Sequence, residues 1–450
     1  LKSQFPNPNL GFQLKITSKA MGSSSKESEH CGSGLDRISL LPDDVIDKIL
    51  TSLPIVEAAK TAVLSKNWKR RWRNISVLKF DGCFASKFEK ADRRDLMLAI
   101  WQTLFLHLGA IDGFTLAIPG LESCPEINPP IQFLSEKKVK HLKIHLIDGG
   151  FHVLPSYLFS CLQLCTLELT GCEFNTPYGF GGFSQLITLD FNEVYITSDF
   201  FGMFISNCPL LQQLRLQQCS FRGEVSSISI ITPNLRTFFY HGCKLFICIG
   251  SAPLLDQLAL FVDFEHYGAR CPNFKEGKKL YLNEFCASLP ALRKLEMNCY
   301  FFKALEVCNL SGESPNCLMQ LEDLSISDVL FADTKDVSTL VGLIRSLPNL
   351  ERLTIWMLYD DVDGQYNDLG TEEYDFSCNK LQTVELFHLN GTNAEMTFIK
   401  SLLLKSPQLK KMTIRCVEEE DELQILTKMV QFHRASVGAN IIIRERINIC

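Results

Sequence analysis

Residues 65–74 read SKNWKRRWRN, with Lys66, Lys69, Arg70, Arg71 and Arg73 interleaved with Trp68 and Trp72. Cationic groups neutralise phosphates and indole rings stack on bases, so a nucleic-acid-binding segment would use this spacing. The chain as a whole carries a net charge of −6, which confines any such role to this stretch. A second candidate is the acid-rich run YDDVDGQYNDLGTEEYD at 359–375. With Gly364 taken as the turn glycine of a calcium loop, Tyr359 and Gly370 fall where the first and last carboxylate ligands belong. An EF-hand therefore fails at both ends, and a solvated loop is the better reading.

The remaining reactive residues are dispersed. The 18 cysteines form no C-x-x-C pair and the 9 histidines form no metal-spaced cluster. No P-loop, G-x-S-x-G or H-E-x-x-H motif occurs. The expectation is a chain with no catalytic residue, no metal and no cofactor. Its thiols are read as free, buried, small apolar fillers in a reducing compartment, the cytoplasm or the nucleus. The N-x-S/T triplets at Asn74, Asn309 and Asn390 then go unused. The apolar stretch LMLAIWQTLFLHLGAI at 96–111 is too short to span a membrane and carries Gln102, Thr103 and His107. It is expected to be a buried helix entered from Arg93-Arg94-Asp95, with no membrane partner.

The elements that position these residues are set by a repeat. Apolar residues recur at positions 0, +3 and +5, as in Leu164-Leu167-Leu169, Leu211-Leu214-Leu216, Leu235-Phe238-Tyr240, Leu321-Leu324-Ile326 and Leu381-Val384-Leu386. Weaker copies begin at Ile75, Ile111 and Val139. One such triplet carries little information, because about one window in ten matches by accident at ordinary composition. The punctuation is what makes it a repeat. Proline stands two residues before the first leucine at Pro209, Pro233, Pro253, Pro290, Pro348 and Pro407. A cysteine or apolar residue follows at +8: Cys172, Val194, Cys219, Cys243, Val329 and Leu389. The pattern L-x-x-L-x-L-x-x-C/apolar is the leucine-rich-repeat signature.

Positions +3 and +5 have strand period and point together into a core, so each unit supplies one strand. Apolar runs such as FFGMFISNCP and VSTLVGLIRSLP predict helices on the outer side, ended by the proline. No unit buries its own apolar face, so the units must stack into a solenoid whose parallel strands line a concave surface. The fold class is thus α/β. Residues alternating with the core positions should face the concave side: Glu168, Asp190, Arg215, Gln217, Phe239, His241, Phe261, Glu296, Trp356, Phe387 and Arg415. Arg215, Phe239, Phe261, Trp356 and Phe387 are the candidate partner-binding residues, since exposed aromatics and arginine are typical interface anchors. The competing reading places the aromatics under loops or packs them edge-on.

Before the repeats, residues 1–35 are Ser-, Lys- and Asn-rich without apolar periodicity, and are expected to be a disordered leader with Met21 as a candidate start. Residues 36–74 have their own punctuation. Pro42, Asp43 and Asp44 suit the first turn of a helix whose apolar stripe is Val45, Ile46, Ile49, Leu50 and Leu53, ended by Pro54. A second short helix is expected over 56–61, and a third with Leu64, Trp68 and Trp72 at i, i+4, i+8. On that reading the tryptophans of SKNWKRRWRN face inward and its basic residues are the solvated side.

The sequence L-P-D-D-V-I-D-K-I-L-x-x-L-P followed by A-V-L-S-K-N-W-K-R-R-W resembles an F-box, especially the plant type. The resemblance implies a three-helix unit docked on the Skp-type adaptor of a cullin–RING ubiquitin ligase. It implies adaptor contacts at Leu41, Pro42, Ile46, Ile49, Leu50, Leu53, Pro54, Val63, Leu64 and Trp68, some of which must instead pack the unit internally. From Cys378 the chain resembles the FBD region that follows leucine-rich repeats in many plant F-box proteins, with a helix around 396–404, a second helix and a strand Ile441–Ile443. The implied layout is leader 1–35, F-box 36–74, leucine-rich-repeat solenoid 75–377 and FBD 378–450. The implied activity is substrate recognition in an SCF ligase, with an adaptor, a cullin held through it, and a substrate protein as partners. An interaction scaffold or a small-ligand receptor is the alternative.

Overall fold

The computed structural model describes residues 41–88, 93–146, 150–197, 201–222, 228–242, 247–263, 280–281, 289–299, 301, 305–306, 318–358, 374–417 and 419–444. The leader, residues 36–40, Cys243, the acidic segment at 359–373 and the side chains of 418–421 lie outside them. Three helices open the described residues: α1 (Asp43–Ser52), α2 (Ile55–Lys60) and α3 (Lys66–Arg71).

One parallel sheet then runs through the described residues. Its strands are β1 (Val77–Asp81), β2 (Gly113–Ala117), β3 (His141–His145), β4 (Thr166–Thr170), β5 (Thr188–Asn192), β6 (Gln213–Gln217) and β7 (Thr237–Gly242). It continues with β8 (Gln257–Val262), β9 (Lys294–Asn298), β10 (Asp323–Val329), β11 (Arg352–Met357), β12 (Thr383–Leu389), β13 (Lys411–Cys416) and β14 (Asn440–Arg444). Spatial order follows chain order throughout. Positions +3 and +5 of each predicted triplet lie in one strand, including those of the weak copies at Ile75, Ile111 and Val139. Most strands bury alternate residues, as in β4, where Leu167 and Leu169 are buried and Glu168 is not, whereas β10 and β13 each bury three residues in a row.

Three backbone devices explain the repeat pattern. The proline at −2 is the second residue of a turn: the N–H of Leu211, Leu255 or Leu409 donates to the carbonyl just before Pro209, Pro253 or Pro407. The residue at +1 then accepts two N–H groups from the following repeat, as Lys140 O does from Cys165 and Thr166 and Gln382 O from Lys410 and Lys411. This satisfies the backbone at the strand entrance and locks the register. At +7 the chain turns left-handed, at Gly171, Glu193, Gln218, Asp328 and His388. That turn folds the +8 residue back into the core, where Cys172, Val194, Val329 and Leu389 are fully buried. The +7 position has no apolar signature and was invisible to a hydrophobic pattern.

The return segments are less uniform than expected. Among the described residues, helices α4 (Arg93–Leu106), α5 (Asn128–Glu136), α6 (Phe201–Ser206), α7 (Thr334–Arg345), α8 (Asn393–Lys405) and α9 (Glu419–Met429) serve some of the repeats. Short strands also occupy the return segments: His152–Val153, Cys172–Phe174, Tyr195–Thr197 and Ser220–Arg222 pair in a second parallel sheet. The repeat of β5 holds both the strand Tyr195–Thr197 and α6, whereas the shorter repeat of β4 has the strand Cys172–Phe174 and no helix. Phenylalanines fill the space instead, with Phe174 packed 5.3 Å from Phe159, 5.0 Å from Phe191 and 5.3 Å from Phe204. Each buried ring contributes roughly 1.5–3 kcal/mol.

The three-helix unit is stitched to the first repeat. Arg73 Nε donates to Leu106 O at 2.7 Å and Leu108 N to Arg73 O at 2.8 Å. The buried His107 Nε2 donates to Ile75 O at 2.8 Å. Of the segment 96–111 only the part up to Leu106 is helix; it buries Met97, Ile100 and Leu104 but leaves Leu98 and Phe105 exposed, and among the described residues no helix is long and apolar enough to cross a membrane. A second buried histidine, His152, donates from Nε2 to Asn128 Oδ1 at 2.9 Å and accepts at Nδ1 from Ser123 Oγ at 3.0 Å.

Candidate interaction surfaces

The N-terminal unit is built around α1. Ile46 and Leu50 are 0 % and 1 % exposed and meet Trp68 and Trp72 in the same core cluster. Ser65 caps α3 by accepting from Trp68 N at 3.3 Å. Leu64 therefore lies before α3, not within it, and is exposed. Arg71 reaches back to α1, donating to both oxygens of Asp47 at 3.1 and 3.0 Å and pairing with Asp43. In SKNWKRRWRN the tryptophans are thus core, Arg71 and Arg73 are engaged within the chain, and Lys66, Lys69 and Arg70 are solvated. No ring is left for a base to stack on.

This burial divides the adaptor-contact residues. Ile46, Leu50 and Trp68 are enclosed within the unit and pack its interior, as some of the implied set must. Pro42, Ile49, Pro54, Val63 and Leu64 are exposed, and Leu41 and Leu53 are half-buried. Val63 is 82 % exposed and adjoins the exposed Leu64.

The second surface is the sheet face opposite the core. Cross-strand register places Lys143, Glu168, Asp190, Arg215 and Phe239 in one row. Lys143 Nζ meets Glu168 at 2.6 Å, and Arg215 stands 4.0 Å from Asp190. Burial pushes the Asp190 carboxyl up, and Arg215 pulls it back. The Arg215 guanidinium lies 3.8 Å from the centre of Phe239, whose ring is 5.8 Å from Phe261. Further along, Trp356 stacks on Phe387 at 4.9 Å with planes 12° apart, and Arg415 lies 5.0 Å from Phe387. The four aromatics are half-buried, Phe239 beside Phe261 and Trp356 beside Phe387. The structure thus groups the five predicted residues into two arginine–aromatic clusters: Arg215 with Phe239 and Phe261, and Trp356 with Phe387.

Between these clusters is a cavity of about 750 Å³, bounded by Phe261, Glu296, Ser325, Asp328, Trp356 and His388 among others. It joins the two groups, since Phe261 belongs to one and Trp356 to the other. Asp328 and His388 escaped sequence reasoning because both occupy the left-handed +7 position, φ 61° and 60°. A polar residue directly before the apolar +8 residue was the available signal.

Reactive chemistry is scarce. Among the described residues no group of three or more His, Cys, Asp or Glu is placed to hold a metal. The described cysteines are free, and burial pushes the Cys161, Cys172, Cys219 and Cys378 thiols up to about 12. A thiol held protonated in this way is a poor nucleophile.

Comparison with known proteins matches residues 38–80 to the F-box domain and residues 378–414 to FBD. Residues 128–355 match the LRR repeats of FBD-associated F-box protein At5g56370. The F-box/FBD/LRR-repeat protein At1g13570 of Arabidopsis thaliana is 30 % identical over 419 residues, covering 91 % of this chain and 99 % of that protein. The putative F-box/FBD/LRR-repeat protein At2g05300 of the same plant is 24 % identical over 464 residues, 95 % and 99 % of the two chains. F-box/FBD/LRR-repeat protein At5g22660, also from Arabidopsis thaliana, is 24 % identical over 462 residues, 91 % and 96 %.

Proposed function

The chain belongs to the F-box/FBD/LRR-repeat proteins, and from that membership we propose that it is the substrate-recognition subunit of an SCF-type ubiquitin ligase. The observation that carries this reading is the pair of outward surfaces on one continuous core. Ile49, Val63 and Leu64 stand exposed on the helical unit, and two arginine–aromatic clusters stand on the sheet face. The first surface takes the Skp-type adaptor and through it the cullin, by an apolar contact of the helix-in-groove kind. The second takes the substrate protein. The bonds Arg73–Leu106 and His107–Ile75 hold the two at a set distance, so a ubiquitin-loaded enzyme on the cullin meets the substrate at high effective concentration. The chain makes no bond itself and acts in the cytoplasm, the nucleus or both.

Copurification tests this reading. The full chain should bring down a Skp-type adaptor, and a partner captured by the repeats should accumulate when cullin activity is blocked. Absence of adaptor would sink the proposal; adaptor without cullin-dependent loss of any partner would favour an interaction scaffold. The cavity supports one second reading, a receptor in which a small ligand fills the sheet face.

A further inference from the structure

The cavity between Phe261 and Trp356 has a chemical character of its own. Its lining includes two carboxylates, Glu296 and Asp328, and no lysine or arginine. Glu296 is paired with Lys294 at 2.6 Å. Asp328 accepts only a hydroxyl, from Ser327 at 2.9 Å, and among the described residues no cation pairs with it. The same face shows what partner such a site suits. Arg215 lies over Phe239 and Arg415 over Phe387, whereas among the described residues no cation lies over Phe261 or Trp356. Two of the four aromatics carry their own guanidinium, and the two that wall the cavity lack one beside an unpaired carboxylate.

We propose that this cavity receives an arginine side chain presented by the bound substrate protein, a reading that rests on the substrate-receptor function proposed above. The guanidinium plane lies against the Trp356 indole, whose opposite side is covered by Phe387, and its N–H groups donate to Asp328. Arginine fits better than lysine, because a planar, weakly hydrated cation stacks on a ring while donating at its edge. A cavity of about 750 Å³ exceeds one side chain, so residues flanking the arginine enter with it.

The test uses the full chain labelled with 5-fluorotryptophan, which gives four resonances, with Trp356→Phe assigning the relevant one. The probe is acetyl-Gly-Arg-Gly-amide, compared with its citrulline analogue, which keeps the shape and removes the charge. The arginine peptide should shift the Trp356 signal saturably while the citrulline peptide leaves it in place. Asp328→Asn suits as the variant, because asparagine tolerates the φ of 61° at this position. It should weaken the arginine peptide by about five-fold, the ratio that corresponds to ~1 kcal/mol. Equal shifts from both peptides, or an unchanged affinity in a natively folded Asp328→Asn chain, would overturn the proposal. Agmatine binding as tightly as the peptide would overturn the assignment to a protein side chain in favour of a free amine. A chain that copurifies with adaptor but shows no arginine shift overturns this inference alone. A chain that binds the peptide and no adaptor overturns the receptor reading alone.

Discussion

Arg215 on β6 and Phe239 on β7 are register partners, and the guanidinium sits 3.8 Å from the ring centre. The arginine also donates to Gln217 at 2.8 Å, so its orientation is held from two sides. A double-mutant cycle with Arg215→Ala and Phe239→Leu should give a coupling energy of about 0.5–1 kcal/mol, the range for a half-exposed cation–π pair. Urea denaturation of the four proteins measures it, and strictly additive effects would show that the contact contributes nothing.

The aromatic clusters should matter for substrate and not for adaptor. Replacing Phe239, Phe261 and Trp356 together by alanine should reduce the partners captured on the repeats while adaptor copurification is retained. Loss of the adaptor with substrate capture intact would mean that the two faces have been assigned the wrong way round.

The F-box surface separates packing from contact. Ile49→Asp combined with Val63→Asp should abolish adaptor copurification and leave the melting temperature within a degree or two, since exposed sites contribute little to stability. Leu50→Ala, at a position 1 % exposed, should cost about 2–5 kcal/mol and lose the adaptor only through unfolding of the unit. Retained adaptor binding in the double aspartate variant would remove Ile49 and Val63 from the interface.

The left-handed position can be probed from both sides. A Cβ at Gly171 would stand 2.3 Å from Leu146 O at a φ of 65°, so Gly171→Val should destabilise by at least about 1–3 kcal/mol from the backbone alone. Glu193 has a φ of 49° with a side chain already present, and Glu193→Gly should change stability by no more than about 1 kcal/mol, in the stabilising direction. Denaturant midpoints give both values, and equal losses would refute the turn geometry.

Burial lowers the pKa of His152 and of His107 below the ordinary 6.5. Between that value and the lowered folded one, the unfolded chain binds more protons than the folded chain, so stability rises with pH there. Stability should therefore be lost as pH falls through about 6.5, the histidine reference value. His152→Gln, whose amide still reaches Ser123 and Asn128, should flatten part of that slope in urea midpoints taken from pH 7.5 to 5.5. An identical slope in the variant would mean that His152 is not held neutral.

Much of this architecture was legible from the residues. The triplets located the strands because side chains two apart in a strand share a face, and that periodicity survives whatever joins the strands. Even the weak copies at Ile75, Ile111 and Val139 proved to be β1, β2 and β3. The return segments were less readable, since a run such as CEFNTPYGFGGFSQ has neither helical nor strand period. Its phenylalanines are placed by contacts with Phe159 and Phe204, which lie in other repeats. The left-handed turn at +7 was missed because backbone sterics exclude only some residue types there, and Glu193, Gln218, Asp328 and His388 share nothing more specific than a polar side chain.

The sequence alone determined the repeat, the order of the strands and the presence of an F-box-like helical unit, because each rests on local spacing of apolar residues and prolines. It also reduced SKNWKRRWRN to a helix with its tryptophans inside. Which apolar residues of that unit face a partner was decided only by tertiary packing: Ile46 and Ile49 are alike in type and nearly adjacent, yet one is enclosed and the other 38 % exposed. The same holds for the sheet face. Phe261 and Trp356 are far apart in the chain, and β9 and β10 alone lie between their strands. Their shared cavity with Asp328 exists because stacking brings distant repeats side by side, a relationship that no local pattern encodes.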